Sequence, residues 1–206
     1  MRYFDISMMI WEGMPVYPGD PSFELKWLDT IENCGYDLSA ISMSSHCGTH
    51  VDCPRHFIKG GQTAEAMNVE NFCGAAKLIA VEGVEAITTH DLCSFDIKRG
   101  EILILKTDNT QYMRSGIMPD KFACLTEDAA EYLEEKNIKA FGFDYITVDR
   151  DEDYPVHKTL LSAGIPIFEG LCLNNVQPDE YFFTGLPLRI KCAEASPVRA
   201  VLIKND

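Results

Sequence analysis

The 206-residue chain is short of basic side chains: 18 Lys and Arg stand against 32 Asp and Glu, a net charge of −14 with His neutral. Nucleic-acid backbones and anionic lipid surfaces are held by clustered positive charge, so this deficit argues against either as a partner. No apolar run approaches the roughly 18 residues needed to cross a bilayer. The N-terminal stretch from Met1 to Trp11 carries Asp5 and is too short in apolar residues for a secretory signal, so a cytoplasmic protein is expected. There is no C-x-x-C pair, and the eight cysteines (34, 47, 53, 73, 93, 124, 172 and 192) follow no regular spacing. That excludes the usual cysteine zinc sites and leaves buried, reduced thiols as the expectation rather than a disulfide framework. Internal repeats, low-complexity tracts and linkers are missing too, so one domain over residues 1–206 is expected.

What is present is an ordinary apolar fraction, 46%, sufficient for a packed core. Short runs rich in Ile, Val, Phe and Tyr, bounded by Gly, Pro, Asn or Asp, predict strands over 3–10, 23–28, 38–45, 76–82, 101–107, 140–147, 166–169, 181–190 and 198–204. Helical patterning is scarcer. The clearest case begins at Thr126 as N-cap, with Glu127 and Asp128 in the first turn and Lys136-Asn137 at its end. Shorter helices are predicted over 67–72, 90–95 and 157–163. The fold class is therefore α/β, a single mixed domain with more strand than helix. Two loops stand out: Pro15, Pro18 and Pro21 stiffen the segment that presents Tyr17, and the acidic run Asp149–Asp153 reads as solvated.

Three of only five histidines fall within eleven residues, His46-Cys-Gly-Thr-His50-Val-Asp52-Cys-Pro-Arg-His56. At the period of a strand, His46, His50, Asp52 and His56 share one face, while Cys47, Val51 and Cys53 share the other. Gly48, Val51 and Pro54 disfavour a helix. His50 and Asp52 would lie about 6.6 Å apart along a strand, suitable for a shared metal ion, and His46 about 13 Å from His50 unless Gly48 bends the chain. Two imidazoles and a carboxylate suit Zn²⁺ or Mn²⁺ and leave coordination positions open. Isolated histidines on apolar strands are usually core or surface residues. Three on one face with an aspartate are costly to bury unpaired.

The segment His46-x-Gly-Thr-His50-x-Asp52-x-Pro-x-His56 resembles the signature of the cyclase family, whose characterised members include metal-dependent bacterial kynurenine formamidases. The resemblance extends through Pro18-Gly19-Asp20, Gly60-Gly61-Gln62-Thr63, Gly142-Phe143-Asp144, His157-Lys158-x-Leu160-Leu161, Ile165–Glu169, Leu186-Pro187-Leu188 and Ser196–Ala200, essentially the whole chain. It implies the family's swivelling β/β/α-like fold and a two-metal site. His46, His50 and Asp52 would hold one divalent ion, Asp52, His157 and Glu169 the second, with zinc expected and manganese an alternative. His56 would be the general acid/base, and Tyr17 would contact substrate. The family also implies a homodimer or homotetramer acting on a small-molecule amide.

Such a site addresses both reasons why amides resist water. Divalent ions polarise the carbonyl and lower the pKa of water, and a positioned His passes a proton to the departing nitrogen. The expectation is a metal-dependent amide hydrolase, most specifically an arylformamidase acting on N-formylkynurenine. Tyr17 stands where those enzymes carry Trp, and Tyr145-Ile146-Thr147 departs from the family's usual Pro and Ser. A cyclic amide such as isatin is the alternative substrate. A cysteine nucleophile, Cys47 or Cys53 beside His56, would need a thiol on the histidine face, and strand parity opposes it. A metal-binding protein without catalysis would have no use for His56. Asp144 and Asp149 are read as orienting groups or structural hydrogen-bonders.

Overall fold

The computed structural model describes residues 1–115, 117–119 and 121–204. At its centre lie four parallel strands. Ile102–Lys106 runs between Cys73–Ala80 and Ala140–Phe143, and Ile167–Glu169 lies on the far side of Ala140–Phe143. Runs such as Ile102-Leu103-Ile104-Leu105 are buried at every position, as strands covered on both faces must be. Antiparallel strands flank this centre: Asp179–Thr184, Val201–Lys204 and Arg2–Asp5 on one side, His50–Asp52 and Ala195–Pro197 on the other. The result is a nine-stranded mixed sheet, and strand exceeds helix by 27% to 18%, the mixed α/β architecture expected from sequence.

Strand periodicity divides the interior in two. Leu103, Leu105, Phe141 and Phe143 meet Ala129, Ala130 and Leu133 of the helix Glu127–Glu135 and Leu160 and Leu161 of the helix Pro155–Ser162. Ile102, Ile104 and Ala140 point the other way, into a second core closed by the sheet itself. Phe168 and Phe183 show how: three strands separate theirs in the sheet, yet their rings lie 4.8 Å apart. The sheet is curled, and its two antiparallel flanks approach each other.

Most predicted strands are present but shorter. The segment after Asp5 leaves the strand, although Ile6 stays buried and bonds to Ala200 and Cys172 through its backbone. The run predicted over 181–190 ends at Thr184, before Pro187, which has no N–H for a ladder. Thr126 does stand at the N-cap position, but its hydroxyl bonds the Ile87 carbonyl at 2.9 Å rather than its own helix. The helix Thr110–Ser115 and the parallel pair Ala86–Ile87 with Cys124–Leu125 were not anticipated, being too short for a periodic signal. The eight thiols are free, but Cys34, Cys93 and Cys192 are exposed rather than buried. Among the described residues, no helix is long and apolar enough to cross a membrane.

One close approach fixes the edge that will carry the site. Gly48 and Gly170 both have left-handed φ, +66° and +68°, and a Cβ on Gly170 would lie 2.6 Å from the Gly48 carbonyl oxygen. Thr49 ties the same two loops, donating from its hydroxyl to the Gly170 carbonyl at 2.6 Å and accepting from the Met8 N–H at 2.7 Å. Left-handed backbone costs a residue with a Cβ about 1–2 kcal/mol, before any clash. Gly170→Ala is therefore expected to destabilise the fold by more than about 2 kcal/mol. A urea titration checks this through a lowered midpoint at unchanged slope.

Candidate metal centre and active-site cavity

The strand containing His50 and Asp52 is only three residues long, not the eleven-residue run its alternation suggested. His50–Asp52 pairs antiparallel with Ile167–Glu169, placing Glu169 directly opposite His50. Side chains directly opposite on a sheet share a face, and His50 Nε2 accordingly lies 3.5 Å from Glu169 Oε2 and 3.4 Å from Asp52 Oδ1. Gly48 supplies the bend that the straight-strand distance required. It folds His46 back until the His46 and His50 rings are 5.0 Å apart and His46 Nδ1 is 2.8 Å from Asp52 Oδ1. Pro54 then ends the extended chain in a 3-10 turn, Pro54–His56. His56 thus reaches the site from a turn, not a pleat, with Nε2 3.9 Å from Asp52 Oδ2.

The second block arrives on the helix Pro155–Ser162. Asp149 opens the acidic run expected to be solvated, yet it is buried and binds the start of this helix, in keeping with its reading as an orienting group. Its carboxylate accepts the N–H groups of Val156 at 2.9 Å and His157 at 3.0 Å, and faces His157 Nδ1 at 2.6 Å. A proton held on Nδ1 by Asp149 leaves Nε2 as the nitrogen that would face a metal, and it lies 3.4 Å from Asp52 Oδ2 and 3.2 Å from Glu169 Oε1. His50 is set in the same way, Nδ1 facing the Gly48 carbonyl at 3.0 Å. Glu169 Oε1 accepts the Val148 N–H at 2.8 Å. Asp144, by contrast, bonds Thr107 through both its N–H, at 2.7 Å, and its hydroxyl, at 2.8 Å, a structural use.

Charge is concentrated where water is scarce. Burial would raise the Asp52 pKa, yet His46 and His50 hold it well below the usual carboxylate range. Burial likewise opposes a charge on His50, but Asp52 and Glu169 override it and lift the imidazole to about 10. His157 is raised for the same reason, through Glu169, Asp149 and Asp52. His56 alone is lowered: burial and the neighbouring His46 and His157 outweigh Asp52, which keeps it neutral near pH 7. His50 Nε2 and both Asp52 oxygens are buried without a hydrogen-bond partner. Orphaned buried groups of this kind are expensive. His46, His50 and Asp52 form one ligand-competent group, and Asp52, His157 and Glu169 another. The donors fit divalent cations in number, type and exposure.

All seven residues singled out from the sequence border one cavity of about 260 Å³, with Tyr17 at its rim. Sequence reasoning missed two further residues. Glu194 accepts the Ser45 hydroxyl at 2.6 Å and lies 3.5 Å from His46 Nε2. Tyr154 bonds Tyr17, hydroxyl to hydroxyl, at 2.9 Å. Neither lies in a motif; only the register around Ala195–Pro197 and the start of the helix bring them in. Cys47 sits against Met14 Sδ at 3.7 Å with its pKa raised by burial, and burial pushes the Cys53 thiol up to about 12. Neither resembles an activated nucleophile.

Fold, donor set and cavity together define a metal-dependent hydrolase. The Cyclase family profile matches residues 4–150, and the chain belongs to that family. It is similar to the kynurenine formamidase of Bacillus mycoides (strain KBAB4), 33% identical over 98% of this chain and 97% of that protein. A solved structure described as a potential metal-dependent hydrolase with cyclase activity is 35% identical, with TM-score 0.88 over 100% of this chain and 98% of that one. Isatin hydrolase A from Labrenzia aggregata shares the fold at 22% identity, with TM-score 0.87 over 99% of this chain and 94% of that one.

A cation bound by Asp52 and its neighbours stabilises the folded state by mass action, about 2.7 kcal/mol at a hundredfold excess over Kd. Zn²⁺ or Mn²⁺ added to chelator-treated protein is expected to raise Tm by roughly 5–10 °C in a calorimetric scan. Asp52→Asn is expected to abolish that shift. His50 and His157 carry protons in the metal-free protein, so ion uptake releases protons and the shift shrinks as pH falls.

Proposed function

We propose that the substrate is a small aryl formamide of the N-formylkynurenine type. The chain is a metal-dependent amide hydrolase, and one observation carries the reading of its site: Asp52, buried among imidazoles with neither oxygen in an aligned hydrogen bond, belongs to both ligand groups and lies on a cavity that also holds a neutral His56. His46, His50 and Asp52 would hold one divalent ion, and Asp52, His157 and Glu169 a second. Zinc suits the imidazole-rich set, and manganese would be accepted. When bound, the ions polarise the scissile carbonyl and make water a better nucleophile near neutral pH.

The protein's own residues supply the rest. His56, unprotonated near pH 7, accepts a proton from the attacking water and returns it to the departing nitrogen. Phe57 and Tyr154, with rings 5.1 Å apart, and Tyr17 at the rim give the cavity aromatic walls for an aryl group. Its 260 Å³ compares with the roughly 150 Å³ of a cavity that accommodates benzene, so one ring with a substituent fits. The kynurenine formamidase relatives support the formyl group as the acyl portion. A lactam such as isatin would use the same groups, and Tyr17 in the place of the formamidase Trp is what favours keeping it as the second reading.

A homodimer or homotetramer belongs to the same proposal. The hairpin Glu24–Asp29/Leu38–Ser42 exposes Trp27, Leu28, Leu38 and Ile41, more apolar surface than one hairpin usually leaves to water. Free thiols at exposed Cys34, Cys93 and Cys192 fit a reducing, cytoplasmic setting. Formate release from N-formylkynurenine by the stripped protein, with and without added Zn²⁺ or Mn²⁺, tests the substrate. Metal-restored turnover is expected, and His56→Ala should lower kcat by about 10²–10⁴ while leaving bound metal unchanged. Turnover of isatin alone would move the substrate to the second reading.

A further inference from the structure

Tyr154 occupies a conformation that the fold has to hold in place. It precedes the helix Pro155–Ser162 with φ 51° and ψ 53°, a left-handed geometry that an aromatic residue adopts only against steric strain. The turn that results places its ring on the cavity lining, 5.1 Å from that of Phe57 and edge-to-face with that of His157 at 6.2 Å. Tyr17 reaches the same cavity on the proline-stiffened loop. The two hydroxyls meet at 2.9 Å across 137 residues of sequence, at a partly exposed point of the cavity rim.

A hydroxyl pair consumes one hydrogen and leaves the other free. Among the described residues no further acceptor takes it. We propose that the Tyr17–Tyr154 pair is a specificity element: the free phenolic O–H donates to an acceptor oxygen, ketone or carboxylate, that the substrate carries beyond its scissile amide. The inference rests on the amide-hydrolase reading of the site. It makes Tyr154 a specificity-determining residue and narrows the substrate class to aryl amides with a second oxygen acceptor on the ring.

Three substrates test it on the metal-loaded enzyme: formanilide, which has no second acceptor, 2′-formamidoacetophenone, which adds a ketone, and N-formylanthranilate, which adds a carboxylate. The wild type is expected to favour at least one acceptor-bearing substrate over formanilide. Tyr154→Phe, which keeps the ring, should reduce that kcat/KM ratio about three- to tenfold, chiefly through KM. Tyr17→Phe should act in the same direction, and the double variant should be no worse than the worse single one, because the two hydroxyls act as a unit. A ratio unchanged in Tyr154→Phe, or a Tyr154→Phe loss shared equally by all three substrates, overturns the proposal while leaving the hydrolase reading intact. Failure of the wild type on all three counts against the formamide substrate, not against the pair. Calorimetric binding of 2-aminoacetophenone, anthranilate and aniline then decides the pair separately. A preference for either acceptor-bearing amine that falls in Tyr154→Phe supports it, and equal preferences in both proteins overturn it.

Discussion

Taking the Asp52 carboxylate out of water would cost several kcal/mol if positive charge did not surround it. Nitrogens of His46, His50, His56 and His157 lie 2.8–3.9 Å from its oxygens, and the raised pKa values of His50 and His157 supply the positive charge. These four come from a turn, a strand, a 3-10 turn and a helix, so every local structure at this edge of the sheet answers to a single buried charge. Protons on His50 and His157 are the cations that balance the carboxylates when no metal is bound. On the proposed reading, a divalent ion would replace them with a more concentrated charge, at Asp52 oxygens that the nearby imidazoles leave without an aligned hydrogen bond. Binding and folding are coupled through that exchange.

The carboxylate can be buried there because its surroundings are held rigidly. Gly48 and Gly170 let two loops pass closer than any side chain would permit, which brings His46 back over His50 and sets Glu169 across from it. Asp149 uses one carboxylate for two tasks, satisfying N–H groups at the start of the helix Pro155–Ser162 and fixing which nitrogen of His157 is free. The curled sheet supplies the frame. Val51 and Phe168, neighbours in register between the site residues, both point into the second core and anchor the two short strands from behind.

The candidate donors were legible in the sequence because the chemistry demands particular residue types at short spacing. The reason they converge was only half legible. Alternation placed His46, His50, Asp52 and His56 on one face, and they do meet, but a pleat spans only His50–Asp52. The Gly48 bend and the 3-10 turn complete the set, and of these only the bend was readable, from glycine's freedom at φ > 0. The central strands were readable because burial on both faces leaves an unbroken apolar run; their order in the sheet was not. Asp149 was half legible: its role as an orienting group holds, but the acidic stretch it opens looks solvated until the helix it serves is known. Glu194 and Tyr154 carry no signal of their own, since each acquires its neighbours through contacts more than a hundred residues away in sequence.

On the proposed reading, Tyr17 in the place of a Trp would change the kind of recognition without changing the reaction. An indole at this position offers ring area and an N–H donor that accepts nothing in return. A phenol offers less area but both donates and accepts, and Tyr154 is placed to take up half of that capacity. Hydrophobic contact discriminates weakly between ligands of similar shape, whereas a site with a committed donor rejects ligands that leave the donor unpaired. The rim of this cavity is therefore where selectivity can diverge within the family. The Asp52 centre beneath it, constrained by charge on every side, has no comparable freedom.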